Sequence, residues 1–138
     1  MYQTRYYFSR GVLPAMIVAI CGGACWLAIS QSETPPGIGD LFTMVRLTTA
    51  AAAVGGIVAS PLFGSCGGKG LAFALFGAVF ATVIGAALAA AAIGGLPGIV
   101  IGPIFVLTKI ATEPHVGGIW LILMVAAHCA AETERARP

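Results

Sequence analysis

Four long stretches of this chain carry no charge. Residues 11–32, 47–68, 71–108 and 114–131 contain no Asp, Glu, Lys or Arg. The hydrocarbon core of a bilayer is about 30 Å thick, and an α-helix crosses it in roughly 20 apolar residues. The seven Lys and Arg and the five Asp and Glu fall almost entirely between or outside these runs. The pattern predicts an all-α integral membrane protein, a bundle of about four transmembrane helices.

Composition agrees: 59% of residues are hydrophobic and the mean hydropathy is +0.98, far above the range of soluble domains. The length of 138 residues suits a single transmembrane domain over residues 1–138. The longest polar stretch, Gln31–Asp40, is too short to fold alone. The net charge of +2 comes from scattered basic residues, which excludes a nucleic-acid partner, because that requires a basic patch. Cys21, Cys25, Cys66 and Cys129 all lie in charge-free runs, where cysteine behaves as a small hydrophobe. Two Lys against five Arg, with abundant Ala and Gly, fit a GC-rich bacterial genome, so the expected location is the bacterial inner membrane.

Arg5 and Arg10 precede an apolar core, and Ala28-Ile29-Ser30 resembles a cleavage site, which together fit a signal peptide. The expectation is nevertheless a retained first span over 13–30, entered through an interfacial segment at 1–11 rich in Tyr2, Tyr6, Tyr7 and Phe8. Pro35-Pro36-Gly37 breaks the chain. Asp40 is the expected N-cap of a second span over 41–64. Ser65–Gly70 is a glycine-rich turn, the third span covers 71–93 and the last covers 116–131. Residues 94–114 are ambiguous, since glycines together with Pro97 and Pro103 punctuate them. They suit either a short tilted fifth span or a broken or re-entrant segment buried in protein. With four spans both termini share a side, and Arg5, Arg10, Lys69, Arg135 and Arg137 gather on it. The positive-inside rule then favours four spans with both termini cytoplasmic.

Small residues recur every four positions. Gly56, Ser60, Gly64 and Gly68 form one row, and Gly77, Ala81, Gly85 and Ala89 a second. On a helix such a row is a flat stripe that admits another backbone, so Gly56, Ser60, Gly64, Gly77, Ala81 and Gly85 are the candidate helix-packing residues. A third row, Gly94, Gly98 and Gly102, is undercut by Pro97 and Pro103. Arg46 lies about one and a half turns inside span two, and Lys109 interrupts the apolar 94–114 stretch. Charge at such depth is costly and usually partnered, which makes both candidate contacts to a partner protein or to lipid. The bland alternatives are snorkelling and, for Lys109, an i, i+4 pair with Glu113.

Other chemistry fails on spacing. A phosphate loop needs Gly, four residues, then Gly-Lys-Ser/Thr, but Phe63 holds the first position and Gly70 follows Lys69. His115 and His128 lie about 20 Å apart along one helix and cannot ligate two faces of one haem. Cys21 and Cys25 share a helix face, yet a metal site needs two more ligands at that depth. No cofactor is expected. No acid, base and nucleophile cluster within the apolar runs, so an enzyme is not expected. A coupled transporter usually carries an ionisable residue near mid-membrane, and a channel needs a polar stripe where Thr48, Thr49 and Thr82 are nearly all there is. The leading expectation is a structural or accessory subunit of a larger membrane complex, with a respiratory or photosynthetic assembly as a common setting. Its partners would be the other subunits and lipid. The rival is a self-assembling small pore, holin-like protein or transporter.

Overall fold

The computed structural model describes residues 12–32, 38–65 and 67–136. The interfacial segment at 1–11, the Pro35-Pro36-Gly37 break, Cys66 and residues 137–138 with Arg137 lie outside the described residues. Five α-helices follow in order: α1 (Val12–Ser32), α2 (Ile38–Ala59), α3 (Gly67–Gly94), α4 (Leu96–Thr112) and α5 (Pro114–Ala136), with a 3-10 turn at Ser60–Leu62 between α2 and α3. Four of them, α1, α2, α3 and α5, are long and apolar enough to cross a membrane.

The helix boundaries depart from the sequence expectations at several points: α3 begins at Gly67, inside the expected Ser65–Gly70 turn, and α5 runs on to Ala136 past the expected end at 131. Asp40 is not the N-cap of α2 but sits within its first turn, where a carboxylate still complements the helix dipole. The α-helical part of span two stops at Ala59, because Pro61 opens a 3-10 turn, and Gly64 lies outside the helix with φ +77°. Of the ambiguous 94–114 stretch, Leu96–Thr112 forms one unbroken helix, α4, with Pro103 inside it. Proline removes a backbone donor and crowds the preceding turn. Here Gly102 and Pro103 are buried, and helix packing offsets that local loss. At 17 residues α4 is about 25 Å long.

Close contacts fix the topology. Along the α1–α2 pair, Gly56 lies beside Ala15 and Val18, while Gly22 lies beside Thr48 and Ala52. Those pairings run in opposite directions along the two helices, so α1 and α2 are antiparallel. The same holds for α2 and α3, where Gly55 meets Ala81 and Gly85 meets Ala52. Gly98 and Gly102 pack on Ala90 and Ala86, folding α4 back along α3. Gly95, at φ +66°, makes this one-residue reversal; its N–H donates to the Ala91 carbonyl at 2.9 Å. Helix α5 packs against α1. Its C-terminal part reaches the α2–α3 connection, where Gly64 abuts Ala131. The start of α1 and the end of α5 therefore lie at the same end of the bundle.

The core is built from small side chains. Cys21, Cys25, Ala59, Ala78, Ala81 and Ala127 are buried, joined by Val18, Phe63, Val116 and Met124. No described polar or charged residue is buried, whereas Phe76, Leu96, Ile101 and Ile122 are each more than 60% exposed. A soluble domain exposes charge instead. Helix hydroxyls satisfy themselves: Thr48, Thr82 and Thr108 each donate to a carbonyl four residues back, as apolar surroundings require.

Candidate functional site

The helices leave a cavity of about 140 Å³ between them. Close-packed interiors hold few voids larger than a water molecule, so this one is a candidate site. Each helix contributes to its wall: Cys21, Cys25 and Trp26 from α1, Thr48 from α2, Thr82 and Gly85 from α3, Phe105 from α4, and Trp120 and Met124 from α5. The glycines and alanines that bring the backbones together set its shape, because they remove side-chain bulk from the middle of the bundle.

Few polar atoms reach this cavity. The Trp120 indole N–H donates to Thr82 Oγ1 at 2.8 Å, and that hydroxyl donates to the Ala78 carbonyl at 2.8 Å. This relay joins α5 to α3. The indole nitrogen of Trp26 is buried and has no hydrogen-bond partner among the described residues, a cost of about 1–3 kcal/mol when a donor is left unmet. The sulfurs of Cys21 and Cys25 lie 3.9 Å apart, one helical turn apart on one face of α1.

The candidate packing residues fall into separate contacts. A Cβ added to Gly56 would come within 2.9 Å of Val18 Cβ on α1, and one added to Gly85 within 3.1 Å of Ala52 Cα on α2. Gly77 faces Leu62, and Ala81 faces Gly55. The first row is not one helical stripe: Ser60 is in the 3-10 turn with its hydroxyl donating to the Ile57 carbonyl at 2.9 Å, and Gly64 touches α5 as part of the loop. A side chain at Gly68 would meet nothing within 4 Å. The two rows address different neighbours, α1 and α5 for the first, α2 and the 3-10 turn for the second. The third row, weakened on paper by its prolines, supplies Gly98 and Gly102 to the α3–α4 contact, while Gly94 is open.

Arg46 is exposed on α2, on the same outer face as Phe42 and Val54, which are 62% and 45% exposed. Among the described residues it makes no ion pair. Lys109 differs. Its Nζ lies 2.8 Å from Glu113 Oε1 and 5.6 Å from the Phe105 ring centre, so its charge is met at the α4–α5 junction. Glu113 Oε2 also lies 3.5 Å from His115 Nε2. Further along α5, His128 Nδ1 accepts the Gly64 N–H at 3.1 Å, which leaves Nε2 as the protonated nitrogen of the neutral ring. Arg135 donates to the Pro61 carbonyl at 3.0 Å and to Ser65 Oγ at 3.3 Å.

Sequence reasoning passed over Gly55, Met124 and the Trp120–Thr82 bond. Gly55 is one residue out of register with the row that was noticed. The other two are contacts between distant segments and leave no local signature. Among known proteins, no family model, no curated protein and no solved structure matches this chain. What stands is a helical bundle with four helices long and apolar enough to cross a membrane.

Proposed function

We propose that the protein is a non-catalytic accessory subunit of a larger membrane complex, resident in the bacterial inner membrane. The observation that carries this reading is Arg46, an exposed cation on a largely apolar helix, with no ion-pair partner among the described residues. Charge at that depth is stabilised by pairing. A guanidinium matches a carboxylate or phosphate with two parallel hydrogen bonds, which a lysine cannot make. The outer face of α2, with Phe42 and Val54 flanking Arg46, is the surface that meets the partner. The end of the bundle bearing the start of α1, Lys69 and Arg135 faces the cytoplasm under the positive-inside rule.

Gentle detergent extraction of the native membrane, followed by identification of co-migrating proteins, tests the assignment. Larger subunits are expected to co-purify, and Arg46→Ala is expected to weaken that association while insertion persists. Homo-oligomers alone, with mutation-sensitive conductance in liposomes, would replace this reading with the self-assembling pore.

A further inference from the structure

Three sulfur-bearing side chains from two helices line the central cavity: Cys21 and Cys25 on α1, and Met124 on α5. All three are buried, at 2%, 6% and 6% exposure. We propose that this cavity is a binding site for one copper(I) ion, held by the two cysteine sulfurs and the methionine thioether. The proposal goes beyond the accessory role and does not depend on it.

The donor set selects the metal. Thiolate and thioether sulfurs are soft ligands that favour copper(I). Calcium and magnesium need several oxygen ligands, and no Asp, Glu or His lines this cavity. Zinc takes four ligands drawn from Cys, His, Asp and Glu, and Cys21 and Cys25 are the only such side chains on this wall among the described residues. Three sulfurs satisfy a low-coordinate soft ion and leave a harder one short.

Geometry agrees. Metal–sulfur bonds of about 2.3 Å, spread at tetrahedral to trigonal angles, place sulfurs roughly 3.8–4.0 Å apart. Cys21 and Cys25 sulfurs are 3.9 Å apart without adjustment. Met124 lines the same cavity from α5, and methionine has three rotatable side-chain bonds with which to bring its sulfur to the pair.

Charge balances as well. Copper(I) carries +1. Loss of one proton, from one of the two thiols to solvent, gives one thiolate, while the other thiol and the thioether stay neutral. The filled site has no net charge, which a low-dielectric interior demands. No electron is transferred.

The test is anaerobic titration of the full-length purified protein with copper(I) against the chelator bicinchoninate. One equivalent per chain is expected. Loss of an outer-sphere partner costs 10–100-fold in metal affinity, so loss of a ligand in Cys21→Ser or Cys25→Ser is expected to cost at least about 100-fold. Met124→Leu, which conserves volume, is expected to cost about 10-fold. Cys129→Ser, at an exposed position, is expected to bind as the parent does. X-ray absorption on the copper-loaded parent needs no variant to fold: a sulfur-only shell of three at about 2.3 Å is expected. Failure of the parent to hold copper against the chelator, undiminished binding in both cysteine variants, or nitrogen and oxygen scatterers would each overturn the proposal.

Discussion

Gly64 shows how one residue can serve two elements. Its positive φ turns the chain after the 3-10 segment, its N–H is bonded to His128, and a Cβ there would lie 2.7 Å from the Ala131 carbonyl carbon. Gly64→Ala is expected to destabilise the fold by about 2 kcal/mol or more, from the left-handed backbone and the clash together. Thermal unfolding in detergent measures this, and an unchanged midpoint would mean that the turn tolerates a side chain. The Trp120–Thr82 bond is a second single-residue lever. Helix–helix hydrogen bonds in membranes contribute about 0.6–2 kcal/mol, so Thr82→Val and Trp120→Phe are each expected to lower stability by that order. A double-mutant cycle should show that the two losses do not add.

At the scale of the element, α3 is the spine of the small-residue packing. Its Ala81 and Gly85 receive α2, while its Ala86 and Ala90 receive α4 through Gly98 and Gly102. Because α4 is joined by single residues at Gly95 and Glu113, its position depends on that packing. Gly102→Leu is expected to detach α4 from α3 while leaving α1, α2 and α5 in contact. Cross-linking of engineered cysteine pairs across α3–α4 and across α1–α2 separates the outcomes; survival of the α3–α4 cross-link would refute the dependence. Gly56→Leu is expected to act on the α1–α2 contact instead, since its neighbours are Ala15 and Val18.

For the molecule as a whole, the placement of the two chain ends carries the prediction. The start of α1 and the end of α5 share one end of the bundle, with Lys69 and Arg135 near it. Single cysteines at Val12 and Ala136, in a cysteine-free background, are expected to label from the same side of the membrane, the cytoplasmic one. Labelling from opposite sides would require a different set of spans.

The charge-free runs alone determined the helical class and the number of long apolar helices, because the absence of charge over roughly 20 residues is a local property that length and hydropathy suffice to read. Gly56 and Gly85 were also visible as small-residue positions, since helical periodicity is local too. The sequence did not determine which helix each stripe would meet. Nor did it show that α4 would continue through Pro103, where the α3 surface offsets a local penalty. The cavity was equally out of reach: Cys21 and Cys25 were legible as neighbours on one helix face, but Met124 lies about a hundred residues away in sequence. It joins them only because α5 packs on α1. Contacts of that kind arise from the complementarity of whole surfaces, so the tertiary structure alone decided them.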